Sequence, residues 1–289
     1  MDFEQRKKYA LRLEQAIKSI STADTLVLGG GAGLSDAAGL KYSGSRFADN
    51  FEPFIKRYGM EDMYTSSFYR FKTEEERWAY WARHIIVNRY DPPAAQLYQD
   101  LLALSLGKKF FVITTNVDHQ FHKAGFPDEK IFAVQGDYGY FQCAKGCHQK
   151  LYENENLVRE MVEQTSDCKI PTSLVPHCPV CGGPMDVNIR KDEYFVEDEA
   201  WDKAREGYTA FIEEAAASRT VFLELGVGFN TPGIIRFPFE QMTYQNDNAV
   251  LIRMNTDHPY GVKENMEKTI SFNEDMTETV GALLEKCHA

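Results

Sequence analysis

Apolar and polar positions along this chain change period from block to block, and the changes mark out its elements. Between Phe3 and Ile20, Tyr9, Leu13, Ala16, Ile17 and Ile20 recur at helical spacing with charges between them, which predicts an amphipathic helix packed on a sheet. A short apolar run, Leu26-Val27-Leu28, then meets a cluster of four glycines and a small-residue stretch, TLVLGGGAGLSDAAG from Thr25 to Gly39. That pattern predicts a strand, a tight turn and a helix start. The aromatic and charged segment Lys41 to Tyr90 contains Thr73 and Glu76 at capping-box spacing ahead of RWAYWARHIIVNRY, and reads as a helical cover over about 45–90. Asp91-Pro92-Pro93 restarts the chain into a helix from Ala94 to Leu106, which Gly107 ends. FFVITT (110–115) and the shorter Ile131 to Val134 read as buried strands.

From Asp137 to about Arg190 the composition shifts: five of the six cysteines fall here, and only Asn154 to Gln164 keeps helical periodicity. A helix near Glu199 to Ser218, the strand VFLELG (221–226), a glycine-containing loop GVGFNTPG, the strand NAVLIRMN (248–255) and a closing helix from Glu274 to Lys286 complete the pattern. Continuous apolar strands alternating with helices predict an α/β fold, a Rossmann-like parallel sheet into which a small domain is inserted. The expected division is 1–136 with 191–289, including the helical cover, for the nucleotide-binding domain and 137–190 for the small one.

Composition narrows the function classes. The 289 residues, 43% of them hydrophobic, suffice for one large core and a smaller module. A formal net charge of −11 argues against a nucleic-acid partner, because phosphate neutralisation needs a basic face. No apolar run approaches the roughly 20 residues that span a bilayer. The opening MDFEQRKKYALRLEQ reads as an amphipathic helix and not a signal peptide, so the expected location is cytoplasmic, with no membrane partner.

Four places carry chemistry. The glycine turn lets a backbone approach a ligand, and helix first-turn N–H groups favour anionic oxygens, so it reads as a dinucleotide pyrophosphate site. Its spacing matches neither the usual dehydrogenase fingerprint nor a Walker loop, and a plain structural turn is the alternative. Asn116 and Asp118 stand just past a buried strand, where ligands bind in open α/β sheets; each is either a ligand hydrogen bonder or a helix cap. The next strand delivers Gln135 and Gly136 to the same edge, His122 reads as a structural hydrogen bonder, and Asn255 as a ribose contact or a turn residue. Finally, Cys143-x3-Cys147 and Cys178-x2-Cys181 form two knuckles whose four thiolates match tetrahedral structural zinc with no open coordination position. Cys168 and Cys287 lack spaced partners and read as buried thiols; His148 and His177 read as surface residues beside the ligands.

These residues together resemble the sirtuins. Gly31-Ala32-Gly33-Leu34-Ser35 with Gly39 resembles the family's GAGxS…G loop, and Thr114-Thr115-Asn116-Val117-Asp118 with His122, Ala124 and Gly125 resembles its TQNxD…H..AG segment. The two cysteine pairs fall where sirtuins carry zinc, and Gly226 to Pro232 resembles the loop lining the adenosine pocket. The resemblance implies NAD as co-substrate, bound by Gly31, Ala32, Gly33, Ser35, Asp36, Leu40, Asn116, Asp118, Gln135, Gly226, Gly228 and Asn255.

Three departures refine it. Sirtuin deacylases carry His-Gly where this chain has Gln135-Gly136, their Pro-Asp-Phe-Arg is here Lys41-Tyr42-Ser43-Gly44, and the Gln of TQN is Thr115. This combination resembles the class M sirtuins of microbial pathogens, which are linked to protein ADP-ribosylation, to lipoylated glycine-cleavage-H-like carriers and to a macrodomain protein. In that branch Asn116, Gln135 and Arg190 hold the positions credited with catalysis. The expected activity is therefore NAD-dependent mono-ADP-ribosyltransfer to a lipoyl-carrier protein with release of nicotinamide. The alternatives are an NAD-dependent deacylase or delipoylase with an unusual base, and a catalytically silent NAD-binding module that recognises a lipoylated partner.

Overall fold

The computed structural model describes residues 2–287. Helix α1 (Phe3–Thr22) leads into β1 (Thr25–Gly30) and the short α2 (Ala32–Ala37). The cover follows as α3 (Ser45–Tyr58), α4 (Met63–Ser66) and α5 (Glu74–Ile85), the last running into one wider helical turn, Ile86–Tyr90. Next come α6 (Gln96–Ser105), β2 (Lys109–Thr114), α7 (Gln120–Lys123) and β3 (Ile131–Ala133). The cysteine-bearing segment holds β4 (Gly136–Cys143), β5 (Tyr152–Glu153), α8 (Glu155–Glu163) and β6 (Met185–Ile189). The chain returns through α9 (Glu199–Ala215), β7 (Thr220–Leu225), α10 (Arg236–Gln245), β8 (Val250–Met254), β9 (Thr269–Phe272) and α11 (Met276–Cys287).

The larger sheet runs β3-β2-β1-β7-β8-β9 with every pairing parallel. This is the doubly wound order of dinucleotide-binding proteins, and its direction reverses between β1 and β7. Both faces are covered, which is why its strands are apolar without alternation. Leu26 and Leu28 pack with Leu13 and Ala16 of α1, Leu97 and Leu101 of α6 and Leu283 of α11. Val27 points the other way, toward Phe239 of α10 and the flank of α9 at Tyr208 and Phe211. The expected α/β architecture is thus observed.

A second, three-stranded antiparallel sheet, β5-β4-β6, belongs to the cysteine lobe. The helical cover, grouped from the sequence with the nucleotide-binding domain, shares its core instead with this lobe. Phe47, Phe51, Trp78 and Tyr80 pack into one cluster with Phe141, Val158, Met161 and Val187, and the Trp78 and Phe141 rings lie 4.6 Å apart. The physical reason is that both faces of the parallel sheet are already taken, so the aromatic face of α5 finds its partners on β4 and α8. At the start of α5 the capping box is half formed: Glu76 N–H donates to Thr73 Oγ1 at 3.3 Å, but the Glu76 carboxylate accepts from Lys72 N and not from Thr73. α10 and β9, like β4 and β5 of the cysteine lobe, occupy stretches where the sequence pattern predicts none.

Candidate nucleotide site and cysteine centre

The crevice at the strand-order reversal is built by two glycine loops pressed together. Gly31 N–H donates to Leu225 O and Gly33 N–H to Gly226 O, both at 2.9 Å. A side chain on Gly31 would place Cβ 2.7 Å from Gly226 O, and one on Gly226, whose φ is +62°, would meet Gly33 C at 2.3 Å. The glycines therefore serve first to let one backbone lie on another, and two of the loop's N–H groups are spent on that contact. Beyond it Ala32, Asp36 and Gly228 are exposed, while Leu40 is half-buried with its N–H on Ser35 O at 2.8 Å.

Asn116 and Asp118 sit behind this loop at the carboxyl end of β2. Asn116 Nδ2 donates to Gly31 O at 2.9 Å, Ser35 Oγ at 3.0 Å and Tyr98 OH at 3.3 Å. Ser35 Oγ also donates to Asp118 Oδ2 and lies 2.9 Å from Tyr98 OH. Burial pushes the Asp118 carboxyl up from its ordinary range, against the opposing hydrogen bond from Ser35. The only helix-end N–H group in this set goes to Asp118, whose Oδ1 accepts from Gln120 N at 3.1 Å. Asn116 is a cross-brace to the glycine loop, and among the described residues its Oδ1 has no protein partner.

Gln135 and Arg190 are brought together by their backbones, since Arg190 N–H donates to Gln135 O at 3.0 Å where β4 and β6 begin and end. Val134 N–H reaches Thr114 O at 3.0 Å, so Gln135 and Asn116 leave neighbouring strands on the same edge. The Arg190 guanidinium pairs with Glu197 and lies over the rings of Phe195 and Trp201, 4.3 and 5.3 Å from their centroids. Asn255 spends both ends of its amide locally: Nδ2 on Val227 O at 2.9 Å, Oδ1 on the N–H groups of Asp257 and His258.

Three residues here were not singled out by the sequence. Tyr98 completes the Asn116 and Ser35 set, and its burial and position on α6 leave no motif to find. His119, at φ +65°, has Nδ1 2.5 Å from Asp137 Oδ2, and Asp137 Oδ1 accepts from Arg89 Nε at 2.8 Å and Gly139 N at 2.6 Å. Burial alone would raise Asp137, but the His119 hydrogen bond and the Arg89 charge outweigh it and hold the carboxyl at about 2. His122 stacks on His119 with centroids 3.9 Å apart, and burial with the neighbouring imidazole lowers it to about 4.

Beneath the crevice, behind the loop after β7, two arginines and two glutamates are sealed from solvent. Arg253 Nη2 donates to Glu224 Oε2 and Nη1 to Glu240 Oε1, each at 2.8 Å, while Arg236 reaches Val227 O, His258 O and Tyr260 O. The network fastens the loops after β7 and β8 to the sheet.

In the second lobe Cys143, Cys147, Cys178 and Cys181 place their four sulfurs within 4.8 Å of one another. Cys143 to Cys181 and Cys147 to Cys178 are each 3.7 Å. Four sulfurs at zinc–thiolate distance on a tetrahedron stand ~3.8 Å apart, so the donor set fits zinc. His148 Nδ1 lies 3.0 Å from Cys147 Sγ and its Nε2 meets Tyr152 OH, a hydrogen-bonded neighbour of the cluster.

A doubly wound sheet with a glycine crevice at its reversal and a four-cysteine lobe beside it defines a nucleotide-binding α/β protein of two lobes. The Sir2 family profile matches residues 31–216, and the chain belongs to that family. It is 37% identical over 268 residues, 92% of this chain and 85% of the relative, to a protein of Staphylococcus aureus named Protein ADP-ribosyltransferase. It is 32% identical over 253 residues to a protein of Fusarium oxysporum f. sp. cubense named Probable bifunctional ADP-ribose hydrolase/ADP-ribosyltransferase; the match covers 84% of this chain but only 42% of that longer relative. Among solved structures, a Sir2 homologue mutant with ADP-ribose aligns over 95% of this chain and 96% of its own with a TM-score of 0.61 at 15% identity. A Sir2 homologue–NAD complex aligns over 95% and 93% with a TM-score of 0.59 at 17% identity. Among the described residues no helix is long and apolar enough to cross a membrane.

Proposed function

We propose that the chain is an NAD-dependent protein mono-ADP-ribosyltransferase that releases nicotinamide and modifies a lipoyl-carrier protein of glycine-cleavage-H type. One observation carries the reading: the edge position where a deacylase places its histidine holds Gln135, which donates and accepts hydrogen bonds but takes no proton near neutral pH. Deacylation needs a base to activate a ribose hydroxyl after nicotinamide leaves, help worth about 10²- to 10⁴-fold. Transfer needs only glycosidic cleavage, charge stabilisation at the ribose and an acceptor. The name of the S. aureus relative supports the same reading.

In this scheme Asn116, with its free Oδ1, orients the nicotinamide ribose, Asp118 its carboxamide, and Gln135 the ribose or the acceptor. Arg190 exchanges Glu197 for an acidic group of the acceptor or carrier. Zinc held by the four cysteines supports the lobe and takes no part in transfer. The carrier rests on the class M resemblance of Lys41 to Gly44, Thr115 and Gln135. The fungal relative's name, which joins a hydrolase to a transferase, supports an ADP-ribose-hydrolysing macrodomain associate.

The test is a parallel assay of wild type and Gln135→Ala on acylated peptides and on lipoylated carrier with NAD⁺. Wild type is expected to label the carrier and to leave acyl-lysine almost untouched, with Gln135→Ala impaired in labelling. Robust wild-type deacylation that Gln135→Ala removes would establish the deacylase instead.

A further inference from the structure

A cavity of about 440 Å³ lies between the helical cover and the cysteine lobe, a volume within the range of small-molecule sites. Three helices turn a face toward it: α3 with Phe54 and Arg57, α5 with Ala79 and Arg83 one turn apart, and the end of α8 and the turn after it with Val162 and Cys168. The floor is apolar, since Phe54, Ala79 and Cys168 are at most 4% exposed. Burial pushes the Cys168 thiol up from its ordinary value, so it adds no negative charge to the wall. Ala79 leaves the space. A helical side chain leans toward the preceding turn, so Arg83 extends back over that alanine.

The rim is cationic in a chain whose net charge is −11: Lys56, Arg57 and Arg83 line the cavity against one carboxylate, Asp167. Two of these cations are engaged. Arg57 Nη1 donates to Asp167 O at 2.9 Å and pairs with Asp167 Oδ1 at 2.5 Å, and Lys56 pairs with Glu52 along α3. Arg83 is part-buried, yet among the described residues its guanidinium has no hydrogen bond, no carboxylate and no aromatic face. A cation drawn partly out of water without a partner carries a cost that a bound anion removes. The turn that closes the rim holds Asp167 and Cys168 at φ +48° and +55°, left-handed strain of the kind that ligand clamps retain.

We propose that this cavity binds a small organic carboxylate, its apolar body seated on Phe54, Ala79 and Val162 and its anionic end on Arg83. One uncommitted guanidinium matches one carboxylate in a bidentate pair. A phosphate monoester carries nearly two charges and would find only that one free cation. An inorganic anion would leave the apolar floor uncovered. The site stands apart from the reaction at the crevice, with which it shares no lining residue.

The experiment titrates the full chain with hexanoate, hexanamide and hexylammonium and follows binding by ligand-observed NMR and calorimetry. Hexanoate should bind saturably at one site and about 10-fold more tightly than hexanamide, the lower end for a charge-assisted hydrogen bond because the rim is part-exposed. Hexylammonium should bind more weakly than either. Arg83→Gln should bring hexanoate down to the affinity of hexanamide without changing the Tm of the free protein, because the arginine holds no partner. Ala79→Leu, which fills the floor, should remove the binding of both. Absence of saturable hexanoate binding, equal affinity for hexanoate and hexanamide, a preference that survives Arg83→Gln, or binding that survives Ala79→Leu would each overturn the site. None of these readouts uses NAD⁺, so their failure leaves the transferase reading where it stands.

Discussion

Replacing Arg253 by methionine should be among the most damaging single changes in the sheet domain, although Arg253 lies beneath the crevice and not in it. The guanidinium is 0% exposed and satisfies two carboxylates, Glu224 and Glu240, besides the carbonyl of Tyr260. Without it Glu224, also 0% exposed, keeps only Arg236 at 3.5 Å, and Glu240 loses its cation. Removing one partner of a sealed ion pair costs about 3–5 kcal/mol, because the remaining charge stays in low dielectric or must be neutralised. The expected fall in Tm is on the order of 10 °C. The double change Arg253→Met with Glu240→Gln should recover part of that loss, since it removes one stranded charge, and a double-mutant cycle by denaturant titration reads the coupling. Because Arg236 and Arg253 also hold the carbonyls of Val227, His258 and Tyr260, NAD⁺ affinity should weaken together with stability. A loss below about 1 kcal/mol, the level of an exposed pair, would refute the claim that this network is a sealed unit.

Other perturbations separate the remaining roles. Cys178→Ser should lower zinc from one ion per chain and destabilise the small lobe, because metal binding and folding are linked there; full retention of metal by elemental analysis with an unchanged Tm would remove the assignment. His84 is wholly buried between Tyr80 OH and Tyr138 OH, and burial lowers it from 6.5 to about 3. The unfolded chain therefore binds more protons in that window: His84's contribution is complete above pH 6.5 and is lost as pH falls, by about 2 kcal/mol at pH 5. His84→Gln should flatten stability between pH 7 and 4.5, and an unaltered pH slope would contradict this. Asn116→Ala should abolish nicotinamide release at a stability cost of about 0.5–1.5 kcal/mol, the worth of a hydrogen bond; retained release would make Asn116 a purely structural brace.

What the sequence disclosed, and what it withheld, follows from where each signal is encoded. Leu26 to Leu28, Phe110 to Ile113 and Val221 to Leu223 are legible because strands buried on both faces are continuous apolar runs. The cysteines are legible because two short spacings suffice to bring four sulfurs together. α10 is hidden because its buried face carries Arg236 and Glu240, whose partners Glu224 and Arg253 lie on other strands, so no apolar stripe marks it. β9, TISF, is short and only partly buried at the sheet edge. The lobe to which the cover belongs depends on which sheet face is vacant, a tertiary fact. His119 and Asp137 stand 18 residues apart, and the left-handed backbone that joins them leaves no trace in residue type.

The orientation of the Asn116 amide also constrains what the crevice can hold. Gly31 O is an acceptor only, so the group 2.9 Å from it must be the amide nitrogen, and the oxygen then faces the other way. A ligand group meeting Asn116 Oδ1 has to be a donor, which a ribose hydroxyl satisfies and a phosphate oxygen does not. Gly31 and Gly33 have meanwhile given their N–H groups to Leu225 and Gly226, so the loop offers anionic oxygens less than its glycine content suggests. The glycines position the crevice, and the oxygen of Asn116, whose amide nitrogen is held by Gly31, Ser35 and Tyr98, is the acceptor left over at the end of β2.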